Sequence, residues 1–316
     1  MQHRPLGPSG LTTAPLVFGG NVFGWTADRG TSFALLDAFV DAGFNAIDTA
    51  DAYSRWVPGH DGGESETIIG EWLKARGRRD DVLILTKVGS DMGQGHNDLS
   101  RGWIERAVED SLRRLQTDVI DLYQAHWPDP GTPQDETLRA FDRLVQTGKV
   151  RAIGVSNHDA AQTAEAMAIS EREGLAAYAT LQPHYNLYSR DTFEGPLQDL
   201  AVERGLGVIT YFSLEAGFLT GKYQTADQVA GTAREGMLKD KFDERGVRIL
   251  ATLRAVADRN EATPAQVSLA WLLTRPAVTA PIVSATSVDQ LTDTLRAAEL
   301  KLSDEDLAEL TEASGN

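Results

Sequence analysis

Eight short apolar runs alternate with segments of helical spacing along nearly the whole chain, and that alternation leaves few folds open. The runs are Val17–Gly20, Ala46–Asp48, Val82–Thr86, Ile120–Ala125, Ala152–Val155, Tyr178–Leu181, Gly207–Tyr211 and Ala280–Val283. Apolar runs this short, bounded by turn residues, read as buried strands. Between them the apolar residues recur at helical spacing, as in Phe33, Leu36, Phe39 and Val40. The helices are predicted over Thr31–Ala42 (capped by Thr31 or Ser32), Glu64–Arg76, Ser100–Leu115, Pro133–Thr147, Asp159–Glu173, Arg190–Arg204, about Glu244–Arg259, from Thr263-Pro264, Val288–Ala298 and Ser303–Ala313. Strict alternation of strand and helix implies parallel strands buried on both faces. Eight such units in 316 residues predict a single α/β domain over residues 1–316. Its expected form is a closed (β/α)8 TIM barrel, with an N-terminal β-hairpin from Arg4-Pro5 and extra C-terminal helices. An open doubly wound sheet calls for a G-x-G-x-x-G turn after the first strand, and Gly19-Gly20-Asn21-Val22-Phe23-Gly24 does not supply it. Lys222 to Asp243 is the one long stretch without a clear pattern.

Charge and composition narrow the function. A formal net charge of −16 argues against a nucleic-acid surface, which needs clustered Lys and Arg. The absence of cysteine excludes disulfides and thiolate catalysis. No apolar run reaches the roughly 18 residues of a membrane span, and Met1-Gln2-His3-Arg4-Pro5 does not resemble a signal peptide. A cytoplasmic protein acting on a small molecule is the expectation, and the oligomeric state is left open.

In a parallel barrel the C-terminal strand ends converge on one face, where function sits. Here those ends are Gly19-Gly20, Asp48, Lys87, His126, Ser156-Asn157, Gln182, Tyr211 and Ser284. Few are apolar, although the strands leading to them are. A lone His126 is more often a satisfied core residue, and a lone Tyr53 is more often loop packing. An acid, a phenol, an amine and an imidazole at neighbouring strand ends point instead to proton transfer. A free phenol ionises near pH 10 and is a weak acid at neutrality. An adjacent ammonium lowers that value, so Lys87, paired with Asp48, is expected to tune Tyr53 as a proton donor. Such a set suits carbonyl reduction, with His126 on the substrate oxygen. Side chains cannot supply hydride, so a nicotinamide cofactor is implied. A metal-dependent hydrolase using Asp51, His60, His126 or His184 is disfavoured, since the first strand offers no ligand pair.

Over essentially its full length the chain resembles an aldo-keto reductase of the bacterial NAD(P)H-dependent type. The matching pieces are Asp48-Thr49-Ala50-Asp51-Ala52-Tyr53, Leu85-Thr86-Lys87, Asp121-Leu122-Tyr123-Gln124-Ala125-His126-Trp127-Pro128, Gly154-Val155-Ser156-Asn157, Gln182-Pro183-His184-Tyr185-Asn186 and Leu219-Thr220-Gly221-Lys222-Tyr223. The resemblance implies a catalytic tetrad of Asp48, Tyr53, Lys87 and His126, with Tyr53 as general acid. It places Ser156, Asn157 and Gln182 on the nicotinamide carboxamide and Tyr211 against the ring. Ser213, Leu214, Gly217, Leu219 and Lys222 would follow the pyrophosphate, and Phe212 is a further cofactor-binding residue. Ser284, Thr286, Ser287 and Gln290 would hold the adenosine end. Many relatives carry a cation in that last segment for the NADPH 2′-phosphate. Here Ser284-Ala285-Thr286-Ser287-Val288-Asp289-Gln290 has none, and Arg234 is a candidate substitute. NADP(H) is the implied cofactor, with NAD(H) or dual use open. Trp25, Trp56 and Trp127 are candidate substrate-pocket residues, and no metal is expected. A nucleotide-sensing subunit on the same fold, like the β-subunits of potassium channels, is the alternative reading.

Overall fold

A computed structural model describes residues 1–232 and 234–315. A short hairpin of β1 (Arg4–Pro5) and β2 (Thr12–Thr13) comes first. The barrel follows as β3 (Val17–Gly19), β4 (Ala46–Asp48), β5 (Leu83–Val88), β6 (Ile120–Ala125), β7 (Val150–Ser156), β8 (Tyr178–Gln182), β9 (Gly207–Thr210) and β10 (Val278–Val283). All eight are parallel neighbours in chain order, and β10 closes against β3. The expected (β/α)8 barrel and its N-terminal hairpin are both present.

Side-chain parity explains how this barrel is both packed and functional. Alternate residues on a strand share a face. Leu6, Val17, Ala46, Leu85, Leu122, Ala152, Ile209 and Ala280 form a small buried cluster inside the barrel. Two residues further along the same faces stand Gly19, Asp48, Lys87, Gln124 and Gly154. The interior therefore changes from apolar to polar in one step toward the C-terminal strand ends. Register sets them in two steps, with Asp48 opposite Gly19 and Leu85, and Lys87 opposite Gln124, which pairs with Gly154. Gly154 is required at this level, because a Cβ there would collide with Thr180 Oγ1.

The hairpin seals the opposite end. Leu6 is fully buried in the interior cluster. Gly7 has φ +55° and packs main chain to main chain, so an added Cβ would strike the Ala179 carbonyl and come within 2.6 Å of Gly207 N. The second, larger apolar cluster fills the layer between strands and helices, with Phe18, Phe39, Trp72, Phe141 and Trp271 among its largest buried side chains.

Most helices fall where the periodicity puts them, with two corrections. The first runs Arg29–Asp41 and is capped by Asp28, which accepts from Thr31 N at 2.8 Å, not by Thr31 or Ser32. The helix expected over Arg190–Arg204 is confined to Pro196–Glu203. Proline lacks the N–H that would continue a preceding helix and favours the first helical position. Residues 190–195 instead form a turn ending at Gly195 (φ +96°), with Arg190 paired to Glu194 at 2.8 Å. The stretch Lys222 to Asp243 holds short helical turns at Ala226–Val229, Glu235–Leu238 and Lys239–Lys241. No helix among the described residues is long and apolar enough to cross a membrane.

Candidate active site

Asp48 ends β4 opposite Leu85, and Lys87 lies two residues beyond Leu85 on the adjacent parallel strand β5, so both side chains open on the barrel mouth. Lys87 is fully buried, and its ammonium has three donors to satisfy. They go to Asp48 Oδ1 at 2.5 Å, Thr49 O at 2.7 Å and Tyr53 Oη at 2.9 Å. The Tyr53 oxygen therefore accepts from Lys87, and its own O–H is left to donate. Within the protein that proton finds Asp48 Oδ1 at a long 3.4 Å. The other Asp48 oxygen accepts from Gln182 Nε2 at 2.9 Å and from Gln124 Nε2 at 3.4 Å. The acid is thus buried but well partnered.

These contacts set the protonation states. Burial penalises the Lys87 ammonium, but the Asp48 charge and the hydrogen bonds to Asp48 and Tyr53 outweigh it and hold the amine above its usual value. Burial is also the largest influence on Tyr53 and raises its pKa, with Asp48 adding to it and Lys87 opposing. The expected pull from Lys87 is present, yet the net shift is upward. The phenol is therefore held as the protonated donor at neutral pH. His126 is pushed well below its usual value, by burial first and then by the Lys87 charge, so its imidazole is neutral. Ser90 Oγ meets His126 Nδ1 at 2.8 Å. The His126 and Tyr53 rings lie 6.0 Å apart.

The sequence reading does not single out Ser90 or Gln124. Gln124 was legible in principle as a polar residue inside a buried strand, two positions before His126. Ser90 follows Gly89 in an unpatterned loop, and no sequence signal marks it.

Around this centre the structure gathers the three tryptophans. Trp56 stands edge-on to Tyr53 at 6.0 Å and to Trp25 at 5.7 Å, while Trp127 stacks on His126 at 5.9 Å. All three remain exposed, at 51%, 37% and 42% respectively. Large aromatic surfaces left to solvent around a polar centre make an apolar wall suited to a ligand.

The residues expected to hold a cofactor ring the same mouth. Ser156 Oγ donates to Gln182 O at 2.8 Å, and Asn157 adopts a left-handed φ of 59°. The Asn157 amide donates to His126 O at 2.8 Å and accepts from Tyr211 Oη at 2.7 Å. The chain after Tyr211 has positive φ at Phe212, Glu215, Ala216 and Gly217. Turned main chain of this kind presents N–H groups to anions. Arg234 donates to Ala216 O at 2.7 Å, which sets its charge over Gly217. Ser213 and Leu219 have buried side chains, Leu214 is half-buried, and Lys222 is exposed. On the far side, Ser284 Oγ donates within reach of Gly19 O (2.8 Å) and Asn21 Oδ1 (2.7 Å). Gln290 Oε1 accepts from Thr286 N at 3.0 Å, and Ser287 caps the helix Val288–Leu295. Among the described residues no group of three or more His, Cys, Asp or Glu side chains is arranged to hold a metal ion.

Behind Asp48, Tyr53 and Lys87 sits another acid. Asp51 is buried, and its Oδ1 has no hydrogen-bond partner. Burial, reinforced by the Glu66 charge and opposed by Arg114 and Lys87, pushes its carboxyl up to about 8. Glu66 itself is partnered, by Thr86 at 2.6 Å and Arg114 at 2.7 Å. The unfolded chain ionises Asp51 near 3.8 and the folded chain only near 8, so stability is lost as pH rises between these values and is flat above. Asp51→Asn removes the loss. Thermal melting at pH 7 is expected to show the variant more stable by about 2–4 kcal/mol, the gap closing near pH 4. A gap independent of pH would contradict this protonation state.

Comparison with known proteins gives a consistent result. The sequence profile described as the aldo/keto reductase family matches residues 15–314. An uncharacterized oxidoreductase of Bacillus subtilis, YrpG, is 37% identical over 99% of this chain and 95% of its own. A probable voltage-gated potassium channel subunit beta of rice (Oryza sativa subsp. japonica) is 33% identical over 95% of this chain and 92% of its own. The aldo-keto reductase YhdN of Bacillus subtilis is 38% identical over 70% of this chain and 65% of its own.

Proposed function

Since the chain belongs to the aldo/keto reductase family, we propose that it reduces an aldehyde or ketone to the alcohol, reversibly, with NAD(P)H as the other substrate. The observation that carries this reading is the Lys87 ammonium, which spends its three donors on Asp48, Thr49 O and Tyr53 Oη and leaves the Tyr53 proton available. A bound nicotinamide dinucleotide supplies the hydride that no side chain can. The residues present fit such a group. Ser156, Asn157 and Gln182 bring amide and hydroxyl groups to the mouth, Tyr211 brings a flat ring, and the turned chain at Glu215 to Gly217 with Arg234 suits a diphosphate.

The chain's own part is proton handling and orientation. Tyr53 gives its proton to the substrate oxygen as charge builds there, and Lys87 steadies the phenolate left behind. Asp48 holds Lys87 in place and keeps it charged. With Ser90 donating to His126 Nδ1, His126 Nε2 carries a proton and hydrogen-bonds the same substrate oxygen. Trp25, Trp56 and Trp127 enclose the carbonyl substituents and exclude water from the reacting atoms.

For the cofactor, NADP(H) is the family's implication, but the Ser284–Gln290 segment argues for tolerance. It has no Lys or Arg, and Ser284 and Gln290 are already engaged within the protein. Hydroxyls bind phosphate less strongly than a bidentate guanidinium. A panel of aldehydes and ketones followed at the nicotinamide absorbance is expected to show turnover with both cofactors, with kcat/KM values within about tenfold of each other. A preference beyond about a hundredfold would overturn the argument from this segment. No turnover across the panel, with tight nucleotide binding, would favour the sensing role suggested by the channel-subunit names of some relatives.

A further inference from the structure

Tyr211 has a second ring behind it. His184 packs against it with centroids 5.4 Å apart and planes 27° apart, and the two residues also form a parallel backbone bridge. The imidazole is pinned, because its Nε2 meets Glu215 Oε2 at 2.9 Å. Glu215 is itself a buried anchor. It accepts from Asn186 Nδ2 at 2.6 Å and Ser189 Oγ at 2.9 Å, and pairs with Lys241 at 2.8 Å. Burial opposes the Glu215 charge, but hydrogen bonds from His184, Lys241 and Asn186 hold its carboxyl down to about 2.

The backbone shows that this anchor is held against resistance. Phe212, Glu215 and Ala216 have φ of 49°, 46° and 53°, a left-handed region that is unfavourable for a non-glycine residue. Such strain persists where surrounding contacts over-determine it. Tyr211 also borders open space. A cavity of about 560 Å³ is lined by Tyr211, His184, Asn157, Pro183, Asp191 and Phe193, among others. The ring is fixed at its tip by Asn157 and on one face by His184, and has room to swing if that face is lost.

We propose that His184, locked by Glu215, is a positioning residue that sets the plane of Tyr211 and so the seat of the nicotinamide. This rests on the reading of Tyr211 as the surface that carries the nicotinamide. His184 acts through Tyr211 and takes no part in proton transfer, since its Nε2 is committed to Glu215.

The test uses the full-length protein with His184→Ala and His184→Phe. Affinity for NADP+ or NAD+, whichever wild type binds more tightly, is measured by fluorescence titration without a carbonyl substrate. Hydride transfer is followed through the primary isotope effect of NADPH deuterated at the transferred position. His184→Ala is expected to weaken binding about tenfold, the scale of one lost aromatic stack, and to enlarge the isotope effect. His184→Phe keeps the flat ring and is expected to return binding to within about threefold of wild type, although both variants lose the Glu215 bond. If His184→Ala does not fold, His184→Leu takes its place, filling the space without a ring. Unchanged affinity in the ring-less variant, or a Phe variant as weak as the Ala variant, overturns the proposal. Wild-type protein that binds neither nucleotide defeats the functional reading itself, which is a separate outcome.

Discussion

Tyr53→Phe is expected to abolish carbonyl reduction, lowering kcat by about 10³-fold or more, within the range general acid catalysis provides. The substitution removes one oxygen and keeps the ring against Trp56 and His126. Substrate enclosure is therefore retained while the proton is lost. Lys87 is left with two of its three partners, a cost of about 1 kcal/mol. That is too little to unfold the barrel. Nucleotide affinity is expected to stay within about twofold, because Tyr53 is not among the groups placed around the cofactor. Steady-state rates together with a binding titration check both halves. Turnover near wild type would remove Tyr53 from the role of general acid.

Lys87→Met should be damaging in two separable ways. It deletes the cation that holds the Tyr53 oxygen, so turnover is expected to fall by about 10²-fold or more. It also strands Asp48, which is buried and would keep the two glutamine amides and the long contact from Tyr53 Oη but no cation. Breaking a buried pair by removing one member costs about 3–5 kcal/mol. The folded-state pKa of Lys87 is raised above 10.5, so the pair's contribution is complete below that value and fades as pH rises through the folded pKa. Denaturant melts at pH 7 and at pH 9 are therefore expected to show the same loss. Adding Asp48→Asn to Lys87→Met removes the stranded charge. The double variant is expected to regain most of the stability and none of the turnover. Recovery of both would mean that Lys87 serves the fold and not the chemistry.

The sequence discloses Asp48 and Lys87 because each closes a run of apolar residues, where a charge is conspicuous. It also discloses the barrel, since eight alternations leave little else. What it hides depends on depth and direction. The upward shift of Tyr53 follows from burial, and no local pattern shows how much protein will cover a loop tyrosine. Gln124 reaches Asp48 only because its strand face points inward, which becomes readable once Leu122 is known to line the interior. Asp51 appears in the sequence as another polar loop residue, and its protonation state emerges only when the fold buries it and sets the Glu66 charge beside it. The helix misplaced over residues 190–204 is different. Its apolar spacing is real, but Pro196 after Gly195 was the stronger signal and sets the true start.

The hairpin at the N-terminal end bears on the traffic of water and protons. Leu6 and its interior neighbours, Val17, Ala46, Leu85, Leu122, Ala152, Ile209 and Ala280, form an apolar stopper beneath Asp48 and Lys87. The Thr180 hydroxyl, buried beside Gly154 at about this depth, has no hydrogen-bond partner, so it does not extend a chain of hydrogen bonds from the floor to the phenol. Under the proposed reaction, a proton given up by Tyr53 would be replaced from the tryptophan-lined mouth, the same opening through which the alcohol would leave. Recharging the acid and emptying the pocket then share one doorway, and a bulky product lingering between Trp56 and Trp127 would delay both.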